Sequence, residues 1–406
     1  MSARDYPMLS VEEAWQQIAA HVRVLPPVAR GLTDMLGQVL AQDVSAIEPM
    51  PPFPAAAMDG YAVIAADPTP TRRIVGEQPA GRVRPLTVQR GTAVRVMTGA
   101  PLPQGADAVV RLEDAEERDG MISLRAPVQP GQNLRRVGED LMAGEVVLTK
   151  GMLLGPAEIG LLATLDRPQI LVHPKPTVAV MATGDELAPP GQSTVPGQIR
   201  DSNSYALLAA VETVGGKPVH IGLIPDNRTL LRDAMLEAVS CANLMLATGG
   251  LSGGSHDYMK PLLEELGTVH FGQVAVRPGR PLTFATVKGV PVFGLPGSPV
   301  STLVAFEMFV RPAMRLMGGH TKLWRPEVKA RLTHDIQHLP DRTEFQRAVV
   351  TERDGVYWAE TTGLQVSGRL KSLVGANALL RLPAGITEFR EGETVTAILV
   401  HRREDH

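Results

Sequence analysis

The residues best suited to chemistry fall in four short loops, each directly after an apolar, strand-like run. Val178–Ala182 is followed by Thr183-Gly184-Asp185-Glu186-Leu187, and His220–Ile224 by Pro225-Asp226-Asn227. Leu244–Ala247 is followed by a Gly-rich loop from Thr248 through Gly249, Gly250, Ser252, Gly253 and Gly254 to His256 and Asp257. Val292–Leu295 is followed by Pro296-Gly297-Ser298-Pro299-Val300-Ser301. In open α/β sheets ligands bind outside the carboxyl ends of the strands, so these loops are expected to converge on one crevice. Closely spaced glycines ahead of a helix let backbone N–H groups approach an anion, usually phosphate. The loop is neither a Walker A sequence nor G-x-G-x-x-G. A tight turn that needs glycine for its geometry alone is the plainer alternative.

Asp185, Glu186, Asp226 and Asp257 would crowd that crevice. Carboxylates beside a phosphate site point to Mg²⁺, which prefers oxygen ligands. Helix capping is the competing explanation for Asp185 and Asp226, which leaves Glu186 the better functional candidate. Arg277-Pro278-Gly279-Arg280-Pro281 sets two guanidinium forks on a short stiff turn, suited to tetrahedral oxyanions unless the turn is simply solvated. His256 is a metal ligand, a base or neither. Met58-Asp59-Gly60-Tyr61 reads on its own as a β-turn. No Ser nucleophile elbow, Cys/His pair or zinc spacing occurs, so the residues alone indicate a crevice for a phosphate-bearing ligand with Mg²⁺.

The elements that must position these loops follow from patterning. Strand–helix alternation over 176–320 means a mostly parallel sheet covered on both faces. Residues 47–140 and 321–406 are β-rich, with short strand-like runs between Gly and Pro. Ser10-x-x-Glu13 is a capping box opening a helix with apolar residues Val11, Ala14, Trp15, Ile18 and Val22. A second helix is expected near 28–40, and 141–175 is apolar and partly helical. The resulting division is a helical linker domain (1–46 with 141–175), a β-rich insertion (47–140), an α/β domain (176–320) and a C-terminal β domain (321–406). At 406 residues the chain is long enough for several such cores. Forty Lys and Arg against 43 Asp and Glu give a net charge of −3, without the basic surplus of a nucleic-acid binder. The single cysteine, Cys241, excludes an internal disulfide. The opening MSARDYPML has no apolar core of a signal peptide, and no membrane-length apolar run occurs. The expectation is a soluble cytoplasmic chain with no membrane and no nucleic-acid partner.

Eight segments in order resemble one family, the molybdopterin molybdenumtransferases (MoeA and the E domain of gephyrin). They are Pro51-Pro52-Phe53 with Met58–Val63, Met97-Thr98-Gly99-Ala100, Gly138-Glu139-Asp140, Thr183–Leu187, Asp201-Ser202-Asn203, the Gly-rich loop to Asp257, Arg277–Pro281, and Gly294–Gly297 with Pro299-Val300-Ser301. The resemblance implies a MoaB/MogA-like α/β molybdopterin-binding domain, a C-terminal β-barrel-like domain and a homodimer. In that family the site lies between the α/β domain of one subunit and the β-rich insertion of the other, which would give Asp59, Thr98 and Asp140 a catalytic role beside Glu186, Asp226 and Asp257. The implied reaction inserts molybdate into adenylylated molybdopterin and releases AMP, with Mg²⁺ held by Glu186 and Asp257. Substrate and phosphate contacts would come from Thr183, Gly184, Asp185, Ser202, Gly249, Gly250, Ser252, Gly254, Pro296 and Gly297. Molybdate would sit on Arg277, Arg280 and Ser301, with Arg347 and Ser372 added by family similarity. A separate molybdopterin adenylyltransferase is implied upstream. The family usually has Lys-Pro-Gly-Lys where this chain has Arg277 and Arg280, Val where Gly253 stands, and Asn at Ser298. Two other readings are a non-catalytic molybdopterin-binding scaffold, which would not need the retained acids, and a nucleotide-pyrophosphate hydrolase, which would not need the β-rich parts.

Overall fold

Ser10 opens the first helix as its spacing predicts. Its hydroxyl accepts from the Glu13 N–H at 3.1 Å, and the Glu13 carboxylate accepts from the Ser10 N–H at 2.8 Å, so Val11–His21 begins with two otherwise orphaned amide donors satisfied. The computed structural model describes residues 6–250 and 258–400. The chain divides into two compact units, one comprising Met1–Ala41, Gly151–Pro156 and Gln169–His406, the other Gln42–Lys150 and Ala157–Pro168.

The first unit is built on a six-stranded sheet. Its order is Lys217–Ile224, Thr177–Thr183, Leu244–Thr248, Val290–Leu295, Thr283–Val287 and Gly267–Phe271. The first four strands run parallel, and the last two join antiparallel. Continuous apolar runs are needed because successive side chains serve opposite layers. Val178, Val180, Leu244 and Leu246 pack into one core with Leu207, Val211, Phe306 and Phe309, whereas Ala179, Met181, Met245 and Ala247 pack into the other with Leu231, Met235 and Leu262. Val11, Ala14 and Ile18 of the first helix join the former core. Each fully buried Val, Leu or Phe contributes roughly 1.5–3 kcal/mol to holding the strand ends in place. The helical stretch Pro299–Met317 stays continuous by widening to a π segment at Phe306–Val310, just before Pro312, which has no N–H to donate to the preceding turn.

The segment 28–40 is not the expected helix. Val28–Gly31 is a strand paired antiparallel with Gln169–His173, which also pairs with Val39–Leu40. Gly37 sits at φ +73, a conformation that ends helical propagation, and pairing with a distant strand overrides weak local propensity.

The C-terminal strands of this unit close into a barrel. Thr343–Arg353 pairs with Val356–Thr361 and Ala378–Leu382, Thr394–Leu399 links Ala378–Leu382 to Glu327–Leu332, and the last pairs back with Val356–Thr361. Its interior is small and apolar, with Ala330, Ala348, Ala359, Ala378 and Ala397 beside Leu332, Leu380 and Leu382.

The second unit carries a six-stranded sheet in the order Ala108–Arg111, Gly60–Val63, Thr92–Val96, Thr71–Gln78, Met121–Leu124 and Ala115–Arg118. Gly60 is obligatory there, because a Cβ would lie 2.0 Å from the Val110 carbonyl oxygen. A buried ion pair, Asp67 with Arg72, ties the sheet's turns together. Arg72 donates to the carbonyls of Ile64, Asp67 and Thr69, and Asp67 accepts from the N–H of Gly91 at 2.7 Å and from Thr69. Burial pushes the Asp67 carboxyl up, but these hydrogen bonds and the Arg72 charge outweigh it and hold the group at about 2. Because the folded value lies below the unfolded 3.8, the stabilisation is present above about pH 4 and is lost as pH falls from there through about 2. Asp67→Asn, which leaves Arg72 buried without its counter-charge, is expected to cost about 3 kcal/mol at pH 7. Denaturant unfolding of the full chain at pH 7 and pH 3 checks this, since the difference from the unmodified protein should shrink at the lower pH.

Candidate active site

The carboxyl ends of three of the four parallel strands, Thr177–Thr183, Leu244–Thr248 and Val290–Leu295, deliver residues to one cavity of about 850 Å³, within the range that holds a small-molecule ligand, whereas the expected loop Pro225-Asp226-Asn227 does not line it. Its wall includes Thr183 and Glu186, Ser202, Gly249, Pro296 and Gly297, Ser301, and both Arg277 and Arg280. The approach of these loops depends on glycine at two points. Gly249 has φ +97, and a Cβ there would meet the Thr183 carbonyl oxygen at 2.2 Å. Gly184 has φ +143, and its missing Cβ leaves room for the Glu186 carboxylate, whose Oε2 would otherwise be 2.5 Å away. The exposed Glu186 side chain is thus folded back over its own turn, which is further held by the Ile199 N–H donating to the Glu186 carbonyl at 2.8 Å.

Asp185 and Asp226 stand behind this wall and brace it. The Thr183 hydroxyl donates to Asp226 Oδ1 at 2.6 Å, the Asp185 N–H donates to Asp226 Oδ2 at 3.3 Å, and the Asp226 N–H donates to Asp185 Oδ1 at 3.1 Å. The adjoining helix Arg228–Cys241 is capped by Asn227, not by Asp226. Gly184 and Gly250 likewise shape the loops without lining the cavity.

A buried polar network missed by the sequence reading fixes the loop before the long helix. Asn203, 7% exposed, donates through Nδ2 to Thr248 Oγ1 at 2.9 Å and to the Gly297 carbonyl at 2.8 Å. The hydroxyls of Thr248 and Thr302 both donate to the Pro296 carbonyl. The Asp201-Ser202-Asn203 segment was legible as a motif, but the contacts of Asn203 were not. Asn203→Ala leaves the buried Thr248 hydroxyl and the Gly297 carbonyl short of a donor, at a cost of about 1–3 kcal/mol in stability. A thermal melt of the full chain beside the unmodified protein checks this, and an unchanged midpoint would mean that this network does not hold the loop.

The cavity is strongly cationic. Arg200 and Arg342, neither singled out by sequence, join Arg277 and Arg280, against the carboxylates of Glu186 and Asp201. Arg200 ends a two-residue strand, Ile199–Arg200, and Arg342 arrives from the C-terminal part, so no local spacing linked them to the loops. Asp341 aligns two of the four, accepting from Arg277 Nη2 at 3.0 Å and Arg342 Nε at 2.9 Å. Burial raises the Asp341 carboxyl, but Arg342 and Arg277 more than offset this and hold it below its ordinary range. Four guanidinium groups around one cavity suit phosphate and other oxyanions.

Arg347 and Ser372 do not line the cavity. Both are buried, at 0% and 3% exposure, and Arg347 Nε donates to the Ser372 hydroxyl at 3.1 Å. Burial lowers the Arg347 guanidinium to about 10 against the opposing charge of Glu344, and its Nη1 has no hydrogen-bond partner. Arg347 instead holds the cavity's far wall through its backbone, whose N–H donates to Gln365 Oε1 at 2.8 Å, with Gln365, Ser367 and Gly368 on the wall.

Ser252, Gly254, His256 and Asp257 lie outside the described residues. Among the described residues, no group of three or more His, Cys, Asp or Glu side chains is gathered to hold a metal ion. Asp59, Thr98 and Asp140 belong to the second unit. There the Thr98 N–H and hydroxyl donate to Asp59 Oδ1 at 2.7 and 2.8 Å, which holds the exposed Asp59 carboxyl below its usual range. Asp140 is exposed, with its N–H donating to the Met50 carbonyl at 2.9 Å.

Known proteins are similar to this chain over most of its length. Residues 9–165 match the MoeA N-terminal region (domain I and II), 179–316 a "Probable molybdopterin binding domain", and 329–400 the MoeA C-terminal region (domain IV). Molybdopterin molybdenumtransferase 2 of Mycobacterium tuberculosis is 37% identical over 398 residues, covering 95% of this chain and 98% of that protein. The gephyrin of Dictyostelium discoideum is 36% identical over 91% of the chain, which spans 59% of that relative's length. A crystal structure of the molybdopterin biosynthesis MoeA protein of Pyrococcus horikoshii superposes over 97% of this chain with a TM-score of 0.76 at 30% identity. A second structure of the MoeA protein from that genus reaches 0.81 at 31% identity.

Proposed function

The chain belongs to the MoeA family of molybdopterin molybdenumtransferases, and from that premise we propose how its residues divide the work. It is a transferase of molybdenum cofactor biosynthesis that inserts molybdate into the molybdopterin dithiolene. The substrate in this reading is adenylylated molybdopterin, supplied by a separate adenylyltransferase, and AMP leaves when the phosphoanhydride is hydrolysed. The observation that carries it is the cationic cavity at the strand ends, where the carboxylates of Glu186 and Asp201 stand among four arginines.

Arg277, Arg280 and Ser301 bind and orient molybdate, whose tetrahedral oxygens match guanidinium forks and a hydroxyl. The unpartnered Nη1 of Arg347 supports a share for Arg347 and Ser372, since a buried donor without an acceptor is costly unless a ligand supplies one. Thr183, Ser202, Gly249, Pro296 and Gly297, together with Arg200 and Arg342, take the phosphate end. Glu186 offers hard oxygens on the cavity wall and would hold Mg²⁺, which takes one or two carboxylates together with phosphate oxygens and water, with Asp257 proposed as the second ligand. When bound, the ion neutralises charge on the phosphoanhydride. Asp185 and Asp226 position the Glu186 turn. Asp59, Thr98 and Asp140 lie in a region with exposed Phe53, Met58 and Met97, which supports assigning that surface to a second copy in a homodimer. Among the described residues no helix is long and apolar enough to cross a membrane, and a cytoplasmic location is part of this reading. So is the four-part division at 1–46 with 141–175, 47–140, 176–320 and 321–406.

The test is AMP release from adenylylated molybdopterin with Mg²⁺, with and without molybdate. Release that depends on molybdate is expected. Tight substrate binding without release under any oxyanion would overturn catalysis in favour of a scaffold, and cleavage of ordinary dinucleotides without molybdate would favour a pyrophosphate hydrolase.

A further inference from the structure

A second cavity, of about 1000 Å³, opens at the polar mouth of the C-terminal barrel. The strand Thr343–Arg353 explains its polarity. Ala348 and Val350 point into the apolar barrel core, and the same face continues outward through Gln346 and Glu344. These two are 5% and 6% exposed, yet both line the cavity. A buried carboxylate at the end of an apolar barrel is unfavourable unless something satisfies it. Its neighbour is His338, with Nδ1 at 3.5 Å from Glu344 Oε2. His338 is 8% exposed and packs on Phe389 at a ring separation of 5.7 Å and 25° between planes. Both of its ring nitrogens are buried without a hydrogen-bond partner. The mouth therefore holds a carboxylate, a carboxamide and an imidazole with both nitrogens unpartnered, beside an aromatic stack.

Arg277 and Gln365 line both this cavity and the cationic one, so the two adjoin at Arg277. In molybdopterin the dithiolene lies between the phosphate arm and the pterin head. With the phosphate end in the cationic cavity and the dithiolene meeting molybdate at Arg277, the head is carried toward the barrel mouth. A pterin presents two neighbouring donors, the 2-amino group and the N3–H, which match the two oxygens of a carboxylate. The geometry points to the barrel mouth as the site of the pterin head, with Glu344 accepting that donor pair and His338 and Gln346 completing the edge. This rests on the molybdopterin reading above and assigns the half of the substrate which that reading leaves unplaced.

The experiment uses the full chain and two fluorescent probes without dithiolene or phosphate. One is 6-hydroxymethylpterin and the other its 2,4-dioxo analogue, which replaces the 2-amino donor by an acceptor. The protein is expected to bind the pterin at least about 10-fold more tightly than the analogue, and Glu344→Gln to erase that preference. With adenylylated molybdopterin, Glu344→Gln is expected to raise KM by about 10–100-fold and leave kcat within about threefold. Equal binding of the two probes by the unmodified protein, or binding of neither, overturns the assignment even if Glu344→Gln fails to fold. An unchanged KM in a folded variant overturns it as well. Normal molybdate-dependent AMP release beside either result sinks the pterin site alone, whereas selective pterin binding without AMP release sinks the reaction and keeps the site.

Discussion

Glu186→Gln is expected to reduce molybdate-dependent AMP release by roughly 10²–10⁴-fold in kcat, with little change in substrate binding. The side chain is exposed on the cavity wall and folded over Gly184, so the swap removes charge without disturbing a packed core. A thermal midpoint within a degree or two of the unmodified protein should accompany the loss. A variant in the bracing pair sharpens the expectation. Asp226→Asn keeps the size of the group that accepts from the Thr183 hydroxyl, so its effect should be smaller than that of Glu186→Gln. If Glu186→Gln retained a tenth or more of the activity at saturating Mg²⁺, this carboxylate would be neither the metal's ligand nor a base.

The second large effect is expected at the arginine turn. Arg280→Ala should raise the molybdate concentration for half-maximal AMP release by about 10²-fold, since truncating one partner of a charged hydrogen-bonded pair costs roughly 2–5 kcal/mol. Arg277→Ala should do the same and more. Arg277 donates to Asp341, and its removal leaves that carboxylate facing the anion with only Arg342 to offset it. Lysine at either position restores charge without the fork, so Arg277→Lys and Arg280→Lys should fall between the alanine variants and the native pair. AMP release measured against molybdate at fixed substrate decides the matter. A molybdate dependence unmoved by Arg280→Ala would take this turn out of oxyanion binding.

The legible part of the site was the part built from consecutive residues. A buried strand followed by a Gly- and Asp-bearing loop announces both its element and its place at the sheet's carboxyl edge, so Thr183, Glu186, Gly249 and Pro296–Gly297 were all found in advance and all line one cavity. Arg200, Arg342, Gln365 and Ser367 also line it, yet they come from a two-residue strand and from loops of the barrel region, where nothing in the local pattern separates a cavity residue from a solvated one. Asn203 carried a visible motif but an invisible task, because its partners Thr248 and Gly297 are 45 and 94 residues away. The fold followed the same rule. Periodicity recovered the first helix, the barrel strands and the sheet apart from its edge strand Gly267–Phe271, and failed at 28–40, where the deciding partner is Gln169–His173.

The composition of the first unit has a consequence for synthesis. Val11, Ala14 and Ile18 find their packing partners in residues such as Leu207, Phe284 and Val310, after the whole of the second unit has been made. At a ribosomal rate of roughly 5–20 residues per second, the apolar stripe of the first helix waits on the order of 15–60 s for its cover. The intervening stretch 42–150 holds its own sheet and can fold meanwhile. The nascent chain therefore emerges with a finished module flanked by an uncovered amphipathic helix, a natural target for a chaperone during translation. Strengthening that stripe, by Ala14→Leu for instance, would lengthen the hazard on the ribosome as well as overfill the finished core.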